Sequence, residues 1–265
     1  MMKKTVQVIL KSLVFFAAWA APVGAIPVPA CDNPAVWRFW AECIPFGCIV
    51  LVNLCFWLIE KRRIPVFGLR HPGRCVSTGF AAGLVWLAVP VVILTAAGAL
   101  HLEKGEPVSM LWLWLLSVLL NAAMQELLVR GYLYRLIRDK YHAATAAAVT
   151  TALFTLMHGG ILEAGPVPVL NVMTMSLLMT LVLEYTGSLL TPVIMHFLWN
   201  SIGAVLLGGV CLAEDYPHVF DAVFAGESWL SGGAYKLEGS AAVLAVNLLL
   251  IVWFSIKLWK KEERQ

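Results

Sequence analysis

The sequence predicts an all-α fold, a polytopic transmembrane bundle of about eight helices with both termini in the cytoplasm, N-in and C-in. Three observations carry this. Of the 265 residues 60% are hydrophobic and 13% charged, where a soluble domain is roughly a quarter charged. With a mean hydropathy of +0.82, the apolar excess must face lipid or other apolar helices. Finally, apolar runs of spanning length follow one another along the chain, with Lys and Arg gathered at alternate ends of successive runs.

The first run, 5–23, follows Lys3 and Lys4 and trails into small residues up to Ala25 or Ala30, so it also reads as a signal peptide. An uncleaved helix is preferred, because removal would leave an odd number of spans whose first begins outside. The second run, 43–59, closes on Lys61, Arg62 and Arg63, with Arg70 and Arg74 beyond; the third is 78–100. The fourth, 108–137, contains Gln125, Glu126 and Arg130 and closes on Arg135, Arg138 and Lys140. The fifth, 142–158, ends at His158 and is broken from the sixth, 167–184, by Gly159, Gly160, Pro166 and Pro168. The seventh, 188–208, contains His196 and Asn200, and the eighth, 240–258, closes on Lys257, Lys260, Lys261 and Arg264. Each can cross, or nearly cross, a hydrocarbon core of about 30 Å at a rise of about 1.5 Å per residue. With the N-terminus cytoplasmic every basic cluster falls inside, and the outer loops 24–42, 101–107, 159–166 and 209–239 carry Asp32, Glu163, Glu214, Asp215, Asp221, Glu227 and Glu238. With no internal repeat, low-complexity tract or soluble domain visible, residues 1–265 read as one integral membrane domain.

The six cysteines, Cys31, Cys43, Cys48, Cys55, Cys75 and Cys211, make no CxxC pair and no zinc-type spacing. Cys31 and Cys211 both fall in outer loops, which is compatible with a disulfide between them. The basic residues form no face interleaved with aromatics, so nucleic acid is not an expected partner.

Ionisable groups at bilayer depth cost a few kcal/mol or more, so each needs a partner or a purpose. Glu126 and Arg130 lie at i, i+4 and can pair; His196 and Asn200 share the same spacing. Counting helical rise places Glu126, His158 and His196 at different depths, spread over about two turns, a difference that tilt can partly absorb. A carboxylate or carboxamide, two imidazoles and an amide suit hydrolysis: one pair holds and deprotonates a water, the other donates to a tetrahedral oxyanion. Two His and a Glu also suit zinc, although no HExxH is present.

The chain resembles the CPBP family of intramembrane glutamic proteases, which includes type II CAAX prenyl endopeptidases and bacteriocin-processing and immunity proteins. The resemblance rests on Gln125-Glu126-Leu127-Leu128-Val129-Arg130, then Phe154-Thr155-Leu156-Met157-His158, then His196-Phe197-Leu198-Trp199-Asn200, with the approach Thr186-Gly187-Ser188-Leu189-Leu190-Thr191-Pro192. Three motifs in order define a core of about residues 110–205. The family pattern begins Glu-Glu, and its first Glu activates the water together with the His of the Phe motif; here that position is Gln125, and an amide cannot take a proton at useful pH. An inactivating substitution, a takeover of the base role by Glu126, and a natural non-catalytic relative all account for this.

By resemblance, Glu126 and Arg130 orient the site, His158 positions the water, and His196 with Asn200 forms the oxyanion hole. The implied activity is metal-independent and cofactor-free endopeptidase cleavage of a peptide or protein substrate at a lipid bilayer, with a bacterial inner membrane as the expected location. Gln125, His158, His196 and Asn200 are then expected to line one cavity, since a water must touch its base while the carbonyl touches the oxyanion donors. The alternatives are a binding or immunity protein with a degenerate site and, without repeat symmetry to support it, a transporter.

Overall fold

The computed structural model describes residues 2–68 and 71–263. Arg70 and Arg264, which extend two of the basic clusters, lie outside the described residues. The helices are α1 (Met2–Ala25), α2 (Pro34–Ile59), α3 (Pro72–Ala96), α4 (Leu111–Glu126), α5 (Tyr132–Lys140), α6 (Ala143–Met157), α7 (Pro166–Thr186), α8 (Leu190–Leu198), the single turn α9 (Ser228–Ser231) and α10 (Ala241–Glu262). Two π-helical stretches, Leu127–Gly131 and Trp199–Leu206, continue α4 into α5 and prolong α8.

All eight apolar runs are thus helical, but among the described residues six helices are long and apolar enough to cross a membrane. Ala143–Met157 and Leu190–Leu206 are shorter than the about 20 residues a span needs. The shortening is local. Gly160 (φ +77) and Gly165 (φ +97) turn the chain between α6 and α7, and Gly187 (φ +71) closes α7, a conformation open to glycine because it lacks Cβ. The six long helices make this an integral membrane protein.

The chain divides into two compact units, Met1–Gly68 with Met110–Thr150 and Leu69–Ser109 with Thr151–Gln265. In the first, the rings of Phe15, Phe56 and Tyr132 pack together, Phe56 and Tyr132 with centroids 4.7 Å apart, and the Trp19 indole donates to the Pro45 carbonyl at 3.2 Å. At one end of this unit Lys11 pairs with Glu60, the Tyr141 hydroxyl donates to Thr5 at 2.8 Å and Lys4 lies over the Tyr141 ring. The basic ends of α1, α2 and α5 therefore share one face, as the charge pattern requires.

In the second unit α3 packs closely on α8. A Cβ on Gly83 would stand 2.8 Å from Leu198 Cδ1 and 3.2 Å from Met195 Cα, the close approach that small residues allow between membrane helices. Two strands that the sequence reading left as loops, β1 (Leu100–Lys104) and β2 (Phe220–Phe224), pair antiparallel with Leu100 opposite Phe224 and Lys104 opposite Phe220. The ladder ties loop 101–107 to loop 209–239 and so puts both on one side, as the topology demands. All six cysteines are free thiols. Cys211 is partly buried, and burial followed by the neighbouring Glu238 pushes its thiol pKa up, away from the thiolate that oxidation needs.

Candidate active site

In the first unit the motif from Gln125 to Arg130 straddles the passage from α4 into a π turn. The wider turn frees backbone groups, and Asn53 on α2 satisfies them: its Oδ1 accepts from the Tyr132 N–H at 3.0 Å, and its Nδ2 donates to the Leu127 and Ile49 carbonyls at 3.4 and 2.8 Å. Gly131 makes room for this, since a Cβ there would lie 2.6 Å from Asn53 Oδ1. Such π insertions are frequent at functional sites. Arg130 Nη1 donates to Glu126 Oε2 at 2.8 Å, and both side chains are 0% exposed.

Gln125 ends a polar chain that crosses to α2. Its Nε2 donates to Asn121 Oδ1 at 2.8 Å, Asn121 Nδ2 donates to Glu42 Oε2 at 2.9 Å, and Glu42 Oε1 pairs with Arg38 at 2.8 Å. A carboxylate paired with Arg38 only accepts, so Asn121 must turn its amide nitrogen to Glu42 and its oxygen to Gln125. Position 125 is thereby required to donate. An amide does so; a carboxylate does not. Glu42 is 5% exposed, yet the sequence reading placed it in a loop, because the apolar run starts only at residue 43.

In the second unit the Phe154 ring touches both imidazoles, with centroids 4.3 Å from His158 and 6.3 Å from His196. His158 lies one residue past α6, and its Nδ1 lies 2.7 Å from the Phe154 carbonyl oxygen. A carbonyl can only accept, so Nδ1 carries a proton. His196 lies in the last turn of α8 and Asn200 in the following π stretch, 7% and 8% exposed.

Trp199, beside Asn200, is held by groups far apart in sequence. Its ring stacks on Trp86 at 4.4 Å, and Trp86 Nε1 donates to Asn247 Oδ1 at 2.6 Å. Asn247 Nδ2 donates to Asn171 Oδ1 at 3.2 Å, and Asn171 Nδ2 donates to the Glu238 and Ser240 carbonyls at 2.8 and 2.9 Å. The Glu238 carboxylate closes the circuit by accepting from the Trp199 indole and from the Cys211 N–H, the latter at 2.8 Å. None of this circuit was visible in the three motifs. A helix-facing Asn in each of two apolar runs was its faint signal.

Burial raises the Glu238 pKa to about 7, against the lowering effect of its N–H donors. The folded state therefore holds a proton that the unfolded chain releases near 4.5, and stability falls as pH rises from about 4.5 to about 7, at up to about 1.4 kcal/mol per unit. Apparent Tm of the wild type is expected to be higher at pH 5 than at pH 8, with the slope abolished in Glu238→Gln. Parallel Tm profiles for the two proteins would contradict this assignment.

Among the described residues no group of three or more His, Cys, Asp and Glu side chains is placed to hold a metal ion. Residues 107–202 match the family model described as type II CAAX prenyl endopeptidase Rce1-like, a segment that contains all three motifs. No curated protein and no solved structure matches the chain.

Proposed function

We propose, from the match of residues 107–202 to the type II CAAX prenyl endopeptidase Rce1-like model, that the chain is a CPBP-family intramembrane endopeptidase acting on the membrane-proximal part of a peptide or protein, with its termini in the cytoplasm. The observation that carries the reading is the contact of both His158 and His196 with the one Phe154 ring, with Asn200 one turn beyond His196. His158 Nε2 takes the proton of the attacking water, while the side chains of His196 and Asn200 donate to the oxyanion. An amide at position 125 cannot take a proton from a water. Glu126, committed to Arg130, orients the helix and is not the base. Hydrolysis needs no metal in this scheme, and it is slow as the sequence stands.

A second reading, a peptide-binding or immunity protein without turnover, is favoured by one observation: the Arg38–Glu42–Asn121 chain demands a donor at position 125. A quenched-fluorescent peptide anchored by a prenyl or acyl group, presented to the protein in liposomes, separates the two. In a Gln125→Glu background, His196→Ala or Asn200→Ala is expected to lower hydrolysis by about 10²–10³-fold while substrate binding persists. Cleavage unaffected by either change would remove the oxyanion role, and binding without cleavage in every variant would establish the second reading.

A further inference from the structure

At the end of the first unit where α2 and α5 terminate, a cleft of about 320 Å³ is lined by Arg63, Arg135, Arg138 and His142, with Ile64 and Pro65 as its apolar wall. We propose that this cleft is a binding site for the phosphate headgroup of an anionic membrane phospholipid. Its size lies at the lower edge of small-molecule sites, roughly 300–1,000 Å³. Arg135 and Arg138 share one face of α5 at i, i+3. Arg63 arrives from a different segment through a turn in which Lys61 (φ 52) and Arg62 (φ 62) are both left-handed.

Non-glycine residues in that region are strained and persist where the surroundings impose them. Here the Lys61 and Arg62 N–H groups bond to the Leu58 and Trp57 carbonyls at 2.9 and 2.8 Å, and the Arg62 guanidinium lies over the Trp57 ring. The fold thus accepts strain to bring a third guanidinium to two others. Glu60 at this end is engaged by Lys11 and by the Tyr132 hydroxyl, and Asp139, a carboxylate in the lining, pairs with Lys140 at 2.8 Å and sets one negative charge beside the three guanidiniums.

The location selects the ligand. The cleft lies at the ends of the candidate spans Pro34–Ile59 and Leu111–Lys140, with Arg135 and Arg138 in the last two turns of the second and Arg63 beyond the first, and basic pockets between helices at the level of the lipid phosphates bind anionic headgroups. A choline or ethanolamine headgroup would bring its own cation against three guanidiniums, whereas a glycerol headgroup adds only hydroxyls. Arg pairs phosphate oxygens bidentately, and the apolar wall at Ile64 and Pro65 accommodates the start of the glycerol ester. Arg63, Arg135 and Arg138 have no part in the hydrolytic scheme above, so the lipid site stands or falls independently of it.

The full-length protein, purified in neutral detergent, is titrated with phosphatidylglycerol, phosphatidylcholine and inorganic phosphate, and bound lipid is read by native mass spectrometry alongside apparent Tm. Phosphatidylglycerol is expected to bind and raise Tm, and the other two to do neither. Arg135→Gln with Arg138→Gln should weaken phosphatidylglycerol binding about 25-fold, at about fivefold per charge. The exposed Arg63→Gln, whose folding is least at risk, should weaken it about fivefold, and Lys257→Gln with Lys260→Gln should leave it unchanged. Equal retention of phosphatidylcholine, equal binding of inorganic phosphate, or undiminished affinity in Arg63→Gln would each overturn the proposal.

Discussion

Replacing Gln125 by Glu is expected to raise peptide hydrolysis by about 10²–10⁴-fold, the usual contribution of a positioned general base. The same change should lower apparent Tm. With Glu42 held by Arg38, Asn121 offers its oxygen to position 125, so a carboxylate there meets an acceptor. If Asn121 rotates to donate to the new carboxylate, its oxygen turns on the Glu42 carboxylate instead. Either arrangement sets two acceptors against each other in a partly buried chain, at a cost of about 1 kcal/mol. Adding Glu42→Gln removes the conflict, because an amide at position 42 can donate to Asn121 while still accepting from Arg38. The double variant is therefore expected to recover the Tm and to hydrolyse faster than Gln125→Glu alone. Rates that stay at the wild-type level in both variants, with normal expression, would take position 125 out of water activation.

That network also marks where the sequence was legible and where it was not. Hydropathy located every long helix, because a span must be apolar along most of its length, and it set three motifs on the helices that carry them. It misplaced the start of α2. The charges of Arg38 and Glu42 break the apolar average, so the run was read from residue 43, although the helix begins at Pro34 with Asn33 capping it through Oδ1 to the Ala35 and Val36 N–H groups at 3.0 and 3.2 Å. Asn followed by Pro is a helix-start signal, and the i, i+4 pairing of the two charges is what admits them to the helix. The π turns, the Asn53 bridge and the circuit around Trp199 depend on partners tens of residues away, and local periodicity carries no record of those. The strands β1 and β2 are five residues each, too short to stand out from loops. What resemblance supplied beyond physics was the role of each motif residue.

Arg130→Ala is expected to damage folding more than chemistry. Arg130 and Glu126 are 0% exposed and 2.8 Å apart, inside the helix segment whose π turn is held by Asn53. Removing the guanidinium leaves Glu126 charged and buried, and breaking such a pair costs about 3–5 kcal/mol, enough to exhaust much of a typical domain's stability of about 5–15 kcal/mol. Low expression and a sharply reduced apparent Tm should follow. The cause can be separated from lost packing, because a buried ion pair replaced by apolar groups of similar volume is often neutral. Glu126→Leu with Arg130→Met is thus expected to express better than Arg130→Ala alone, and in the Gln125→Glu background to retain measurable hydrolysis, since neither side chain serves as base or oxyanion donor in the scheme proposed above. A well-expressed Arg130→Ala protein with wild-type Tm would show that the pair does not hold this turn, and a stable double variant with no hydrolysis at all would move Glu126 from an orienting role to a chemical one.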